Sequence, residues 1–509
     1  MRLRGGGMNM LLDKSVIDII EDIAAENPDR TAVESSEGTL TYGQLWQQSE
    51  EIAGRLSASL GDNRKPVMVY GHKNPQMIVS FLACVKSGRA YCPVDISMPR
   101  NRIEDIAKTI GNDVILAAEP FELEGFNVID VKNAREKLTE TEDLSPEKRV
   151  SGDDTFYIIF TSGSTGKPKG VEISADNLKN FLSWSKKLID DQLAGKERNG
   201  VFVNQAPFSF DLSVMDLYNC LVSGGTLLCL EKTMQQDAAA MFDYMKKGGA
   251  EIFVSTPSFA DMCLADPSFN GNNFDDLKLF LFCGERLTKE TAGKLMERFP
   301  NAKVVNSYGP TESTVAVTAV CITPEMLQRE EPLPIGKPKA GTEILFDGEE
   351  IVITGDTVAK GYFMDRQKTE KVFFSARDRE GNEKRAYRTG DSGYFKDGYY
   401  YCSGRIDLQV KLHGYRIELG DIESNLMEIP GVEQAAVVPR YDGERIRCLV
   451  SFIKAPSYEG TFKDGRKLRN LLKEKLPAYM IPKNVIFIEE MPMTANGKLD
   501  RKKLEGLLA

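Results

Sequence analysis

The chain has 509 residues, with 65 Lys+Arg against 75 Asp+Glu for a net charge of −10, and is 41% hydrophobic and 28% charged. That length calls for more than one core, and the composition excludes disorder along the whole chain. The acidic balance argues against a basic nucleic-acid-binding coat, so no nucleic-acid partner is expected.

The start, MRLRGGG before Met8, reads as an unstructured extension, and one explanation is a start codon placed too far upstream. It lacks the apolar stretch of a secretory signal. Ser15 opens a helical pattern, SVIDIIEDIAAEN, with a capping residue at its start. TAVES and PVMVYG read as strands with YGQLWQQSEEIAGRLSASL as a helix between them, and NPQMIVSFLACVKSG is a further helix before the strand-like AYCPVD. Strands alternating with helices predict a largely parallel α/β sheet. From about residue 201 the alternation returns as VFVNQAP, the helical DLSVMDLYNCLVSGG, then TLLCLE. IFVSTP, LKLFLFCG and KVVNSYGP are three short apolar strands, each ending in a polar or glycine-bearing turn. Ligands of open α/β sheets sit at such carboxyl ends, so the three ends predict one shared site. After about residue 330 the texture turns β-rich, with D-G turn signals in FDGEEI and KDGYYY. The last hundred or so residues read as a small α+β unit: GDIESNLMEIPGV and GRKLRNLLKEKLP as helices, EQAAVVPR and CLVSFIKAP as strands.

Only two histidines are present, His72 and His413, which excludes a His-rich metal site and disfavours Ser-His-Asp hydrolysis. The nine cysteines are scattered without a C-x-x-C pair, which fits reduced thiols and a cytoplasmic location. No run of about 18 apolar residues occurs, so no membrane span is expected.

Four motifs carry chemistry. Thr161-Ser162-Gly163-Ser164-Thr165-Gly166-Lys167-Pro168-Lys169-Gly170 follows the apolar run FYIIF. A strand feeding a Gly/Ser/Thr/Lys loop suits phosphate, because backbone N–H groups, hydroxyls and cations converge on one anion. Its glycine spacing is not that of a Walker A loop. In Asn306-Ser307-Tyr308-Gly309-Pro310-Thr311-Glu312-Ser313, Tyr308 is placed to stack on a planar base and Glu312 to bind Mg²⁺. Asp391, in YRTGD, and Arg405, in GRID, suit ribose and phosphate. Lys498, in NGKLDR, presents an ammonium to an anion, although an isolated lysine of this kind is more often a solvated surface residue.

With FSFDLSV and GRIDLQVKLHGYRIELGDIE these motifs occur in the order found in the adenylate-forming ligases, and the chain resembles that family over roughly residues 14 to 505. The family includes acyl-CoA synthetases, luciferases and the adenylation domains of peptide synthetases. VSTPSFADMCL, LFCGERL, NSYGPTESTVAVT, KLHGYRIEL and LPAYMIPK resemble more narrowly those members that load D-alanine onto a small carrier protein for teichoic acid D-alanylation. Two departures stand out. The hairpin EILFDGEEIVITG is shorter than usual for that group, and Gly420 replaces a more usual acidic residue in ELGDIE.

The resemblance implies an α/β fold: a large N-terminal domain, 1–406, of α/β subdomains plus a β-rich subdomain, and a small mobile α+β lid, 407–509. It implies two steps, formation of an acyl-adenylate from ATP and transfer of the acyl group to a thiol. A carboxylate is already ionised at neutral pH, so the first step needs cations and positioning, not a general base. Lys498 is then the catalytic cation, touching both substrate carboxylate and nucleotide. Thr161 and Ser162 hold phosphate. Asn306, Ser307, Tyr308, Gly309, Pro310 and Thr311 surround adenine and α-phosphate, Glu312 takes Mg²⁺, Asp391 holds the ribose, and Cys402, Ser403, Gly404 and Arg405 complete the ATP site. Asp211 matches the counter-charge that amino-acid-activating members set against the substrate ammonium, with a helix N-cap role compatible. Met215, Cys283 and Val315 would line a small side-chain pocket, although Cys283 also reads as plain core packing. Asp407 matches the hinge. The chain ends soon after Lys498 with no carrier domain following, so a phosphopantetheinylated D-alanyl carrier protein is expected in trans. A ligase of the same family for another amino or organic acid is the alternative.

Overall fold

The computed structural model describes residues 14–163, 168–193, 200–443, 445–493 and 499–508, apart from the side chain of Arg135. The extension before Met8, the loop residues Ser164 to Lys167, and Lys498 with its preceding turn lie outside the described residues. Two compact units are present. The first comprises Met1–Asp95, Ile110–Ile159 and Gly170–Gly404; the second comprises Ile96–Thr109, Phe160–Lys169 and Arg405–Ala509.

The predicted alternation of strand and helix produces two sheets in the first unit. One has nine strands in the order Lys337–Pro338, Thr318–Cys321, Lys303–Tyr308, Leu279–Phe282, Ile252–Ser255, Val201–Asn204, Thr226–Cys229, Thr31–Ser35, Gly38–Thr41. Its middle strands are parallel and its edges antiparallel. The other has seven strands, in the order Gly361–Tyr362, Lys169–Ser174, Thr155–Thr161, Tyr91–Val94, Val67–Tyr70, Val114–Ala117, Asn127–Asp130. Helix Pro75–Lys86 is buried along its length except at Gln76 and touches strands of both sheets. That explains why its sequence is apolar on every face rather than striped. One large apolar cluster joins it to helix Leu212–Ser223 and to both sheets, and a phenylalanine-rich cluster including Phe253, Phe269, Phe280 and Phe299 fills another part of the nine-stranded sheet's core.

Local signals account for the boundaries. Ser15 accepts from Asp18 N and caps Val16–Glu26. Thr41 and Gln44 form a reciprocal capping box on Tyr42–Leu60. Gly224, in the left-handed region, ends Leu212–Ser223. The β-rich stretch is an antiparallel sheet of Thr342–Asp347, Glu350–Gly355, Glu383–Lys396 and Phe373–Arg377, with Tyr399–Arg405 paired on Glu383–Lys396. Asp397 and Gly398 both take positive φ in the predicted KDGYYY turn, as a tight hairpin requires.

In the second unit, Gln434–Asp442, Arg445–Lys454 and Asn484–Phe487 form a three-stranded sheet. Helices Leu419–Met427 and Phe462–Lys473 share an apolar cluster with it. The latter helix starts three residues before the predicted GRKLRNLLKEKLP because Thr461 and Asp464 form a capping box. Helix Leu419–Met427 includes Gly420 in its first turn.

Candidate active site

The three predicted strand ends come together in the first unit. Parallel register sets Ser255 beside Phe282 and Phe282 beside Asn306. Thr256 and Cys283 therefore follow their strand ends level with Ser307, which continues its own strand to Tyr308. Ser307 Oγ donates to Phe282 O at 2.7 Å, and Asn306 Nδ2 donates to Pro334 O at 2.7 Å, which fixes the strand on both sides.

Beyond Tyr308 the chain turns sharply. A β-carbon on Gly309 would lie 2.6 Å from Ala316 Cα, so only glycine lets the returning chain pass. Thr311–Ser313 forms one 3-10 turn, and Thr314 and Val315 follow with φ of +61° and +67°. Two successive β-branched residues in that region cost roughly 1–3 kcal/mol each. The strain is held by Thr314 Oγ1 donating to Thr357 O at 2.8 Å, Val317 N to Tyr308 O at 2.8 Å, and Cys283 Sγ to Val315 O at 3.5 Å.

Two buried carboxylates flank this turn. Glu312 is fully buried and accepts from the Tyr362 hydroxyl at 2.8 Å. Asp391 accepts from the Tyr308 hydroxyl at 2.6 Å, and its own N–H donates to Thr389 Oγ1 at 3.0 Å. Burial and the neighbouring Asp391 push the Tyr308 phenol well above its ordinary value, so it stays a proton donor. Among the described residues no group of three or more His, Cys, Asp or Glu could hold a metal. A single carboxylate such as Glu312 nevertheless fits Mg²⁺, which keeps several waters and is bound through one or two carboxylates plus substrate phosphates. The donor set fits ATP as well: a hydroxyl-bonded buried carboxylate for ribose at Asp391, and a rigid aromatic at Tyr308. Cys402 is half-buried near Tyr308, whereas Ser403 and Gly404 are exposed.

The proposed amino-acid residues lie in the first unit. Met215, Cys283 and Val315 are buried members of one apolar cluster. Asp211 lies four residues before Met215, one helical turn away on the same face. It occupies the N-cap position of Leu212–Ser223, yet makes no capping bond, because its φ of −64° and ψ of −22° are already helical. Its charge raises the nearby buried Tyr157 phenol, for which burial is the larger cause. Helix capping therefore does not account for this side chain.

Within the second unit, Thr161 ends its strand half-buried, and Ser162 Oγ donates to Arg416 O at 2.9 Å while accepting from Glu418 N at 3.2 Å. Arg405 Nε donates to Asp407 Oδ1 at 2.8 Å, and Asp407 is exposed. His413 and Gly414, both with positive φ, form the tip of the hairpin Gln409–Leu412/Tyr415–Glu418. The other histidine, His72, uses Nδ1 on Asp95 at 2.6 Å and Nε2 on the backbone N–H of Lys232 at 3.3 Å. Both ring nitrogens are engaged, which leaves none for a serine nucleophile.

Sequence reasoning missed Tyr362 and Thr357, which steady Glu312 and Thr314. They come from a separate segment, and no local pattern marks them.

The AMP-binding enzyme profile matches residues 20–363, and the AMP-binding enzyme C-terminal domain matches residues 421–498. The chain belongs to the AMP-binding enzyme family. Relatives of this AMP-binding enzyme include the D-alanine–D-alanyl carrier protein ligase of Bacillus licheniformis, 45% identical over 520 residues, with 96% of this chain and 99% of the relative covered. The ligase of the same name from Listeria monocytogenes is 44% identical over 512 residues, covering 96% and 98%. Among solved structures, an NRPS protein containing adenylation and PCP domains, bound to a vinylsulfonamide inhibitor, superposes with a TM-score of 0.82 at 26% identity, covering 96% of this chain and 84% of that one. The resemblance drawn from the ordered motifs and the expected α/β fold are both borne out.

Proposed function

We propose that this enzyme activates D-alanine with ATP to D-alanyl-AMP and pyrophosphate, then transfers the D-alanyl group to the phosphopantetheine thiol of a D-alanyl carrier protein, supplied in trans, for teichoic acid D-alanylation. The observation that carries the reading is a buried apolar wall in which the Cys283 thiol donates to Val315 O, with Met215 in the same apolar cluster one helical turn after Asp211. That wall is buried and apolar, and the Asp211 carboxylate one turn before Met215 suits a small substrate carrying an ammonium group. The D-alanine–D-alanyl carrier protein ligases at 44–45% identity support the same substrate.

In the first step an ionised carboxylate oxygen attacks the α-phosphorus and the bond to pyrophosphate breaks. Two anions meet, so cations and fixed donors do the work. Lys498 is the proposed cation. Glu312 would hold Mg²⁺, which neutralises phosphate charge. Asp391, oriented by Tyr308, would hold the ribose, with Asn306 to Thr311 and Cys402 to Arg405 around the nucleotide. Thr161 and Ser162 would receive the departing phosphates. In the second step the pantetheine thiolate attacks the acyl carbonyl and AMP leaves. Asp407 is the proposed hinge between a large domain, 1–406, and a lid, 407–509. A hinge of this kind lets Lys498 withdraw before the thiol enters.

Nine free cysteines support a cytoplasmic setting. Among the described residues no helix is long and apolar enough to cross a membrane. The net charge of −10 speaks against a nucleic-acid partner.

The test is amino-acid-dependent ATP–pyrophosphate exchange with D-Ala, L-Ala, Gly, D-Ser and L-Phe in the presence of Mg²⁺. Preference for D-Ala is expected, and exchange should cease on chelation. Exchange with a different acid alone would overturn the substrate and leave the chemistry; no exchange with any would overturn the reading.

A further inference from the structure

The loop leading to Asp211 is gripped from behind by a buried ammonium. Lys73 follows strand Val67–Tyr70 and is 1% exposed. Its Nζ donates to Asn204 Oδ1 and to Ala206 O, and lies 4.5 Å from the centre of the Phe208 ring. Asn204 Nδ2 in turn donates to Asp216 Oδ1 at 2.7 Å. Asp216 is fully buried on helix Leu212–Ser223, and its Oδ2 has no hydrogen-bond partner. One ammonium thus touches the chain at 204, 206 and 208, and reaches 216 through Asn204. These contacts bracket Asp211 from both sides.

A core needing stability alone has little use for this arrangement. Apolar residues of similar volume often replace buried charges with no loss of stability, or a gain. Burial draws the Lys73 ammonium down and pushes the Asp216 carboxyl up to about 8, so the network pays for its geometry. Asp95 and Cys229 are the other titratable groups facing Lys73, and burial raises the Cys229 thiol to about 12, which keeps it uncharged.

We infer that Lys73 is a positioning residue of the amino-acid subsite: through Asn204, Ala206 and Phe208 it sets where the Asp211 carboxylate stands, and so the affinity for the substrate ammonium. The inference rests on the reading of Asp211 as that ammonium's counter-charge.

The experiment is ATP–pyrophosphate exchange on the full chain, varying D-alanine and ATP separately, for wild type, Lys73→Met, Asp211→Asn and the double variant. Lys73→Met keeps length and volume but leaves the Asn204 and Ala206 oxygens without their donor, so the melting temperature should fall by a few degrees while the fold is kept. The KM for D-alanine should rise about 10- to 100-fold, the scale of a small misplacement, with the KM for ATP unchanged. The double variant should be no worse than Asp211→Asn alone, because both changes act through one carboxylate. Lys73→Arg should recover part of the loss. An unchanged KM for D-alanine in Lys73→Met, a parallel rise for ATP, or additive effects in the double variant would overturn the inference. If Asp211→Asn itself leaves the KM for D-alanine unchanged, the counter-charge reading falls and this inference with it. Should Lys73→Met fail to fold, Asn204→Ser cuts the same bridge and carries the same expectation and the same refutation.

Discussion

The turn after Tyr308 in the first unit and the hairpin at His413 in the second both carry family motifs, and they hold them in opposite ways. Around the turn, Tyr308, Glu312, Thr314 and Asp391 are buried, and hydrogen bonds from distant segments orient each one. At the hairpin and its approach, Asp407 and His413 are exposed, and Arg405 pairs with a residue only two positions away. Groups that face developing charge gain most from a rigid, dry setting, where no reorganisation is needed at the moment of reaction. In the segment proposed to swing, Arg405 is paired nearby, and the bonds that movement would have to break include those joining Ser162 Oγ to Arg416 O and Glu418 N.

The sharpest challenge to that contrast is Lys498→Ala. If the cation of the second unit serves only the first step, adenylation should fall by ~10²–10³ or more while thioester formation from supplied D-alanyl-adenylate is largely kept. Rapid-quench assay of each half-reaction checks this, and equal loss of both would break the division of labour. Next is Tyr308→Phe, which removes the hydroxyl 2.6 Å from Asp391. A buried carboxylate short of one donor costs ~1–3 kcal/mol. The KM for ATP should rise by about tenfold or more while the KM for D-alanine stays put; a change confined to D-alanine would misplace Asp391.

Cys283→Ala acts on the pocket wall. Loss of the thiol beside Val315 O should relax the D-Ala over L-Ala preference by roughly tenfold, the scale of a small group in an apolar pocket. Exchange rates with the two enantiomers decide it, and an unchanged ratio removes Cys283 from that role. The last prediction concerns stability rather than activity, through pH. Burial raises the Asp216 carboxyl from 3.8 to about 8, so the folded chain keeps a proton that the unfolded chain has released between those values. Stability from this group is therefore full below about pH 4 and is lost as pH rises towards 8. Asp216→Asn should flatten that slope. Melting temperatures at pH 5 and pH 8 test it, and parallel losses in wild type and variant would show that Asp216 does not set the slope.

Much of this was legible along the chain. Residues 31–35 and 42–60 form the predicted strand and helix residue for residue, because capping, periodicity and turn chemistry all agree there. The helix Arg100–Ile110 is weakly marked in the sequence: Ile103, Ile106, Ala107 and Ile110 follow helical spacing, but mostly polar and charged residues fill the rest. Strand ends at Ser255, Phe282 and Tyr308 point to a shared site from the sequence alone, because a parallel sheet presents its carboxyl ends together.

Local order along the chain thus established the elements, the motif order and the chemistry: propensity, period and residue type act over a few neighbours. Tertiary structure alone decided which groups meet. Tyr362 reaches Glu312 across 50 positions, Asp391 reaches Tyr308 across 83, and Lys73 reaches Asn204 across 131. No local pattern encodes such pairings. They exist because burial leaves a polar group to find its partner wherever the packed chain places one.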